Sequence, residues 1–412
     1  MQRHSTINNT LPAFTRGIAA YNSATLARLL LNYGHHVQVI MTKGATAFIS
    51  PLTLQALTGN AVHTQLLDET AEAGMGHIQL AKWADLLIIA PASANTLARL
   101  SMGMADDLLT TVCLATTAPI LVAPAMNQQM WANPAVVLNT QTLTDLGYQI
   151  IEPASGEQAC GDVGAGRLPE PEALFEQVQW ALAKQHQPQL LAGKQVVITA
   201  GATLEAIDPV RYLSNHSTGK MGYALATACR DAGAEVTLIV GEKVTLTTPI
   251  GVQKITVQSA DDMLQAAKKT ANTGCDVFIA TAAVADYRTK TTAPQKIKKT
   301  QPAMTLELVK NPDILATISK ENPNMFMVGF AAETQDVEKY AHNKLIDKKL
   351  DMIACNDVSR QDIGFASDDN AMTVFFADKY QHPSASLAKM PKKDIAKELV
   401  NLMAKVMLPH SG

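Results

Sequence analysis

The chain has 412 residues, of which 47% are hydrophobic and 17% charged, and its formal net charge is −3. This length and composition are typical of a globular protein with two or three domains, and the charge argues against a nucleic-acid partner. No apolar run reaches the ~18 residues of a membrane span. Five widely spaced cysteines argue against a disulfide or zinc framework, so we expect a cytoplasmic protein with no membrane partner.

The first half of the chain predicts a doubly wound α/β domain. Apolar runs typical of buried strands alternate with helical patterns and lie at 36–41, 86–90, 120–123 and 148–151. The beginning differs, because residues 6–16 contain two asparagines and Pro12, which argue against a central strand. We therefore expect that no strand precedes the turn at Gly17.

Small and polar residues follow two of the predicted strands. One segment reads Pro-Ala-Ser-Ala-Asn-Thr at 91–96, and the next reads Pro-Ala-Met-Asn-Gln-Gln-Met-Trp at 124–131. Hydroxyl and amide groups at the carboxyl ends of parallel strands can bind a polar ring or a phosphate. Helix capping explains Ser93 equally well, and Met130 and Trp131 could be core residues.

Two glycine-rich segments carry groups with acid–base chemistry. His77 follows Gly-Met-Gly, a context in which a structural or surface histidine is the commoner interpretation. Cys160 lies in Gly-Glu-Gln-Ala-Cys-Gly-Asp-Val-Gly-Ala-Gly-Arg at 156–167, which suits a loop that closes over a ligand. Its thiol is either an acid or nucleophile, or a passive surface group.

An amphipathic helix at 172–184 and a polar linker at 185–189 separate the two halves. We place the domain boundary after residue 187. The second half begins with a strand at 196–200, and a helix follows a loop of about 17 residues, a length that is uncommon unless functional. The loop fits neither the Walker motif nor the dinucleotide fingerprint, but backbone N–H groups near Gly219 could bind an anion, with Ser217 or Thr218 as helix cap.

The remaining candidates of the second half lie near predicted strand ends or on a helix. A basic loop could be a solvated charge run or a clamp on a triphosphate, and two lysines four residues apart could face one anion. Helix capping accounts for the Asn-Pro-Asp segment without any ligand. These candidates are Asp286, Lys296, Asn311, Pro312, Asp313, Ile314, Phe330, Lys344 and Lys348.

Residues 201–222 carry a family resemblance. They read Gly-Ala-Thr-x-Glu-x-x-Asp-Pro-Val-Arg-Tyr-x-Ser-Asn-His-Ser-x-Gly-Lys-Met-Gly, which resembles the phosphopantothenate–cysteine ligase half of the bacterial bifunctional coenzyme A biosynthesis family. The segments at 91–96 and 124–131 resemble the other half, a flavin-dependent phosphopantothenoylcysteine decarboxylase. The match extends from Gly17 to the last predicted strand.

The resemblance implies two doubly wound, Rossmann-like domains. Residues 1–187 would be a flavodoxin-like decarboxylase domain with FMN, and residues 188–412 a ligase domain that uses CTP and Mg²⁺. The ligase would join phosphopantothenate to cysteine through an acyl-cytidylate, and the decarboxylase would convert the product to phosphopantetheine. A homo-oligomer of trimeric decarboxylase and dimeric ligase units is implied as well.

The resemblance also implies roles for individual residues. In the first domain Cys160 would be the proton donor on a lid, His77 an acid–base group and Asn127 the residue that holds the substrate carboxylate. Asn215 would stabilise the acyl-cytidylate. The flavin contacts would come from Gly17, Ser93, Asn95, Thr96 and Met126, and the CTP contacts from Asp286, Lys296, Asn311, Pro312, Asp313, Ile314, Phe330, Lys344 and Lys348. No carboxylate cluster for magnesium is identified.

Three alternatives stay open. The first is an active ligase fused to a decarboxylase-like scaffold that has lost flavin binding, since only Gly17 matches the family's glycine-rich first loop. The second is a dehydrogenase-like enzyme with two nucleotide domains, which the absence of Gly-x-Gly-x-x-Gly disfavours. The third is a regulatory binding module.

Overall fold

The computed structural model describes residues 8–66, 76–298, 304–333, 337–357 and 367–407. The chain divides into two compact units, residues 1–186 and 187–412. Each unit contains a mainly parallel sheet with helices packed on it, so the fold class is α/β, as predicted from the alternating strand and helix patterns. Within the described ranges, no helix is both long and apolar enough to cross a bilayer.

The sheet of the first unit has the strand order β4-β3-β1-β5-β6-β7, and β2 also pairs with β1. All of these pairs are parallel, and β8 and β9 form a separate antiparallel hairpin. The strands are β1 Asn9–Phe14, β2 His36–Val37, β3 Val39–Met41, β4 Val62–His63, β5 Leu86–Ala92, β6 Ile120–Pro124, β7 Gln149–Ile150, β8 Ala154–Glu157 and β9 Val163–Arg167. The helices are α1 Ala20–Asn32, α2 Pro51–Thr58, α3 His77–Trp83, α4 Ala94–Ser101, α5 Leu108–Ala115, α6 Gln128–Trp131, α7 Pro134–Asp145 and α8 Pro171–His186.

Strand β1 contradicts the expectation that no strand precedes Gly17. It is buried from its second residue and pairs with β5 on one side and with β2 and β3 on the other. The pairs Thr10 with Val37 and Ala13 with Ile40 flank the break between β2 and β3. Pro12, which has no N–H, therefore lies where this neighbouring strand is interrupted. Burial of apolar side chains on both faces of the sheet outweighs the low preference of asparagine and proline for a central strand.

The sheet of the second unit has the order β14-β13-β10-β15-β18-β19-β20-β21, with antiparallel pairing only at its β20 and β21 edge. Two antiparallel hairpins, β11–β12 and β16–β17, lie outside it. The strands are β10 Gln195–Ala200, β11 Leu204–Ala206, β12 Tyr212–Ser214, β13 Glu235–Gly241, β14 Val252–Val257, β15 Val277–Ala280, β16 Tyr287–Thr289, β17 Leu308–Lys310, β18 Phe326–Glu333, β19 Met352–Asp357, β20 Asp369–Phe376 and β21 Ala385–Pro391. The helices are α9 Lys220–Asp231, α10 Ala260–Ala271, α11 Ile314–Glu321, α12 Val337–Asp347 and α13 Lys392–Met407.

Helix α9 starts differently from the prediction. Its N-cap is Gly219, in the left-handed region with φ 80° and without a side-chain cap hydrogen bond, so the prediction that Ser217 or Thr218 is the N-cap is wrong. A Cβ at Gly222 would lie 2.5 Å from the Cβ of Ala200. The glycines therefore allow α9 to approach strand β10 closely and leave its first N–H groups facing the end of the sheet.

Candidate functional site

In the first unit, polar groups follow the carboxyl ends of β1, β5 and β6. Buried Thr15 connects the first two: its Oγ1 donates to Pro91 O at 2.8 Å and accepts from Ser93 N at 2.9 Å. Sequence reasoning missed Thr15, because only the pairing of β1 with β5 brings it to this edge.

Ser93 and Thr96 begin helix α4. Ser93 Oγ accepts from Thr96 N at 3.3 Å and lies 3.0 Å from Thr96 Oγ1, so the capping interpretation describes their protein contacts. Asn95 is exposed at the same helix start. Helix α1 begins three residues after Gly17, and its N-cap, Ala19, contributes no side-chain hydrogen bond. Two of its first N–H groups already donate within the protein, Ala20 N to Gly17 O and Asn22 N to Ala19 O, both at 3.1 Å.

The β8–β9 hairpin brings Cys160 to Asn127. Asn127 Nδ2 donates to Asp162 Oδ2 at 2.7 Å and lies 3.4 Å from Cys160 Sγ and 3.4 Å from Gln158 Oε1. Cys160 Sγ is 3.5 Å from the same Asp162 oxygen. An amide, a thiol and a carboxylate therefore meet at the end of β6, although 33 residues separate Cys160 from Asn127.

Backbone contacts fix the hairpin to the segment after β6. Met126 N donates to Gly166 O at 2.9 Å, Gln158 Nε2 donates to Met126 O at 3.3 Å, and Gln128 N donates to Gln158 Oε1 at 3.0 Å. A Cβ at Gly166 would lie 2.3 Å from Met126 O. This close approach requires glycine, which explains part of the glycine pattern in the hairpin.

His77 is the first residue of α3 and is half-buried. Among the described hydrogen bonds, none joins His77 to Asn127 or Cys160. The glycine and methionine at positions 74 and 75 of its motif lie outside the described residues. Within one chain, Asn127 and Cys160 therefore lie together, whereas no described hydrogen bond connects His77 to them.

The second unit has a cleft of about 890 Å³ at the carboxyl ends of its parallel strands. The sheet order brings together segments that are far apart in the sequence, including the start of α9, the segment after β15 and the ends of β18 and β19. Such an edge is the usual ligand site of an open α/β sheet. The predicted residues that line the cleft are Asp286, Asn311, Pro312, Asp313, Ile314, Phe330 and Lys348.

The other predicted residues of the second unit, Asn215, Lys296 and Lys344, are not among the lining residues of this cleft. Asn215 Nδ2 donates to the carbonyls of Ala283 and Val284, at 3.1 and 3.2 Å, and both of these residues line the cleft. Lys344 is half-buried on α12 and is not among the lining residues, whereas Lys348 follows the helix and lies 3.0 Å from Asp313 Oδ2. The two lysines therefore do not contact the cleft equally.

Lys296 is exposed on a loop that Asp208 fixes. Asp208 Oδ2 accepts from Arg211 Nη2 at 2.6 Å and from Ile297 N at 3.1 Å. The Arg211 guanidinium holds the pKa of buried Asp208 far below its usual range, so this carboxylate stays ionised. Asp208 and Arg211 belong to the quoted segment 201–222, but the sequence did not predict that they hold the Lys296 loop.

Two further lysines line the cleft. Lys220 Nζ lies 2.7 Å from Asp368 Oδ1, and Lys392 Nζ donates to Ser367 O. Lys392 is buried, and burial, with the nearby charge of Lys220, lowers its pKa. Two cations on one wall can attract a phosphate chain. No local pattern marks Lys392, since only the return of β21 brings the start of α13 to this edge.

One residue of the cleft wall has an unsatisfied acceptor. Asn356 Oδ1, at the end of β19, is buried without a hydrogen-bond partner among the described groups, and Asn356 lines the cleft. Such atoms are rare in folded proteins, and a ligand N–H or O–H could satisfy this one. Within the described ranges, no group of three or more His, Cys, Asp or Glu side chains could hold a metal ion.

Comparisons with known proteins agree along both units. A family model described as flavoprotein matches residues 1–182, and one described as DNA/pantothenate metabolism flavoprotein C-terminal domain matches residues 191–407. The coenzyme A biosynthesis bifunctional protein CoaBC of Vibrio cholerae is 53% identical over 394 residues, which are 95% of this chain and 96% of that protein. The protein of the same name from Haemophilus influenzae is 52% identical over 388 residues, 94% of each chain. The crystal structure of a CoaBC C-terminal domain is 37% identical, with a TM-score of 0.45, and covers 53% of this chain and 98% of that one.

Proposed function

Since the chain belongs to the family of coenzyme A biosynthesis bifunctional proteins, we propose that its two units catalyse consecutive reactions. The ligase, residues 188–412, joins phosphopantothenate to cysteine with CTP. The decarboxylase, residues 1–187, then converts phosphopantothenoylcysteine to phosphopantetheine with FMN. The observation that carries the proposal is the meeting of Asn127, Cys160 and Asp162 at the end of β6.

The residues at the end of the first sheet fit a flavin phosphate and ring. The start of α1 lies beside Gly17 and has no side-chain cap, but Ala20 N and Asn22 N already donate to Gly17 O and Ala19 O, so a phosphate there would be bound by the remaining N–H groups of the turn. Ser93, Asn95, Thr96 and Met126 follow the neighbouring strands and can contact the ring. When bound, FMN supplies a hydride acceptor that allows the carbon bearing sulfur to be oxidised and then reduced again.

The chain's own groups bind the substrate and move the proton. Asn127 donates to the substrate carboxylate and orients it. When carbon dioxide leaves, the electron pair of the broken carbon–carbon bond stays on the substrate. The Cys160 thiol then gives its proton to the substrate carbon that carried the carboxylate. His77 is the acid–base group beside the ring. These separate roles explain why the hairpin, which can cover the site, brings the Cys160 thiol next to the Asn127 amide.

In the ligase, the cleft of about 890 Å³ accommodates a nucleotide together with a second substrate. The carboxylate of phosphopantothenate attacks the α-phosphorus of CTP, pyrophosphate leaves, and the cysteine amine then displaces CMP. Asn215, fixed on the cleft wall, stabilises the acyl-cytidylate. Asp286, Phe330, Lys296 and Lys348 bind CTP, as do Lys344 and residues 311–314. Lys220 and Lys392 add positive charge for the phosphates.

The phosphates of CTP hold most of the Mg²⁺ coordination in this proposal. We also propose that the protein is a cytoplasmic homo-oligomer, with trimeric decarboxylase and dimeric ligase units. The cytoplasmic location is supported by the cysteines, all five of which are free. The oligomer is supported by large apolar side chains that are exposed near the candidate flavin site, with Ile18 and Tyr21 each 65% exposed and Met130 47% exposed. Another copy of the chain could cover them.

A visible absorption spectrum, followed by two reciprocal variants, tests this function. After FMN is added and the excess removed, we expect a bound-flavin band. Cys160→Ala should abolish release of carbon dioxide and leave CTP-dependent ligation unchanged, because the thiol serves only the first unit. Lys296→Ala should slow ligation alone, with decarboxylation of added phosphopantothenoylcysteine as its control.

Two outcomes would contradict the proposal. A colourless protein that still consumes CTP with phosphopantothenate and cysteine would favour a ligase on a scaffold without flavin. Strand β1 is present in the sheet, so a missing strand no longer supports that alternative, and its remaining support is the first loop, in which only Gly17 matches the family. Equal loss of both reactions in either variant would argue against two separate sites.

A further inference from the structure

The hairpin turn that carries Cys160 also carries a carboxylate that the proposed reaction does not use. We propose that Asp162 is an internal competitor: in the ligand-free site its carboxylate takes the position on Asn127 that the substrate carboxylate takes during decarboxylation. The substrate carboxylate must therefore displace Asp162 before Asn127 can hold the substrate. This inference rests on the proposed role of Asn127.

The Asn127 amide makes its shortest contact with Asp162. The distance from Nδ2 to Asp162 Oδ2 is 2.7 Å, against 3.4 Å to Cys160 Sγ and 3.4 Å to Gln158 Oε1. A carboxylate is the strongest acceptor of the three, since hydrogen bonds to ionised groups are the shorter and stronger ones. A substrate carboxylate offers the same chemistry, and two carboxylates at one amide repel each other. The Asn127 amide has two N–H donors and already contacts Asp162 at 2.7 Å and Gln158 at 3.4 Å, so a substrate carboxylate that takes the shorter of these positions displaces Asp162.

Asp162 also positions the thiol before substrate arrives. Cys160 Sγ lies 3.5 Å from the Asp162 oxygen that accepts from Asn127. One carboxylate oxygen thus keeps the amide and the thiol within reach of each other, at 3.4 Å. Asp162 is a positioning residue in this state, because it acts through Asn127 and Cys160.

Displacement of Asp162 does not require the hairpin to open. Backbone bonds close the turn, with Gln158 N donating to Asp162 O at 2.8 Å and Gly161 N donating to Gln158 O at 2.8 Å. The Asp162 side chain is exposed, so it can rotate into water and stay hydrated. Substrate can therefore take Asn127 while Cys160 stays beside the site.

The competition affects binding of the substrate and of the product differently. Phosphopantothenoylcysteine has the carboxylate that displaces Asp162, whereas phosphopantetheine has lost it as carbon dioxide. After the reaction Asp162 can return to Asn127, and the product has no group with which to oppose it. The competition thus weakens binding of the carboxylated substrate, which must displace Asp162, and leaves binding of the product unaffected.

The test uses the full-length protein with FMN bound and compares the wild type with Asp162→Ala and Asp162→Asn. Glu157→Ala, which removes an exposed carboxylate from the same hairpin, controls for the general effect of charge on an anionic ligand. We expect Asp162→Ala to lower KM for phosphopantothenoylcysteine about fivefold, because removing a competing state raises apparent affinity. The inhibition constant of phosphopantetheine should stay within about twofold of the wild-type value. Asp162→Asn should act in the same direction by a smaller factor.

A second measurement does not depend on turnover. Iodoacetamide should alkylate Cys160 several-fold faster in ligand-free Asp162→Ala than in the wild type, with the label located by peptide mass spectrometry. Of the other cysteines, three are buried and Cys275 is partly exposed, so peptide-level detection separates their labelling from that of Cys160. Bound flavin, read from the absorption spectrum, verifies that each variant is folded.

Three results would overturn the inference. A rise of both constants in Asp162→Ala would mean a merely structural role. An equal fall of both constants in Asp162→Ala and Glu157→Ala would mean a general charge effect, and unchanged constants would mean that no competition exists. If the wild type releases no carbon dioxide at all, the proposed function fails instead. Equal Cys160 alkylation in wild type and Asp162→Ala would then overturn the positioning role separately.

Discussion

At the scale of single residues, burial changes what Lys392 can contribute to the ligase cleft. Burial first, and then the positive charge of Lys220, hold its pKa below the ordinary value of 10.5, while Asp368 and Asp369 oppose this shift. Lys392 carries its charge below its pKa in the folded protein and loses it as pH rises through that value. It therefore becomes neutral at a lower pH than an exposed lysine. As the pH rises, a phosphate in the cleft would therefore lose its attraction to Lys392 at a lower pH than its attraction to an exposed lysine.

Replacement of Lys392 by glutamine should raise KM for CTP about tenfold near neutral pH, the loss of about one charge-assisted hydrogen bond. Lys393→Gln is the matched control, because Lys393 is the next residue of α13 and is exposed. In the wild type and the control, KM should rise from about pH 7 to about pH 10, and this rise should be smaller in Lys392→Gln. Identical effects of the two variants would remove Lys392 from the site.

At the scale of elements, the β8–β9 hairpin is the part of the first unit whose position matters most for the proposed chemistry. Its contact with the segment after β6 is made partly by backbone, since Met126 N donates to Gly166 O at 2.9 Å, and partly by the Gln158 side chain. Gly166 is buried and has φ 141°, which a side chain rarely adopts. Any side chain there must move the hairpin, and with it Cys160, away from Asn127.

Gly166→Ala should reduce decarboxylation about a hundredfold, because a shift of about 1 Å in a reacting group can cost that much. Ligation by the same sample should be unchanged, and this measurement is the internal control. Gly164→Ala is a graded comparison: its Cβ would meet Gln128 Oε1 at 2.4 Å, but that side chain can turn away. Full decarboxylase activity in Gly166→Ala would show that the contact with Met126 does not position Cys160.

At the scale of the whole molecule, each unit has its own hydrophobic core. In the first unit one buried cluster includes Phe14 and Leu174, and a second includes Leu11 and Leu143. In the second unit one cluster includes Val196 and Leu399, and the other includes Phe278. Since each unit buries its own apolar groups, each has a separate source of folding free energy.

Scanning calorimetry of the intact chain should therefore show two transitions. A ligand stabilises the unit that binds it, by about 2.7 kcal/mol at a concentration of about 100 times Kd. FMN should raise one transition by about 5–11 °C, which is about 2–4 °C per kcal/mol, and CTP with Mg²⁺ should raise the other by a similar amount. Omission of each ligand in turn is the control. A single transition that both ligands raise would contradict separate sites in separately folding units.

The sequence alone predicted the α/β class, most strands of the first sheet, the first strand of the second sheet and several segments that follow strands. These features are local: an apolar run of strand length, glycine after a helix and polar residues after a strand are visible within about ten residues. The glycine-rich segment around Cys160 and the polar residues near Asp286 were found in this way. Motif resemblance added roles that the residue types alone left open.

Only the tertiary structure decided which distant residues meet. Pro12 lies in a central strand because its neighbour is interrupted at that point and because the core buries the rest of β1. Asp162 meets Asn127 through the fold of a hairpin, and Lys392 reaches the cleft through the return of β21. Such contacts depend on strand order and register, which arise from burial summed over a whole sheet and leave no signal in a short window of sequence.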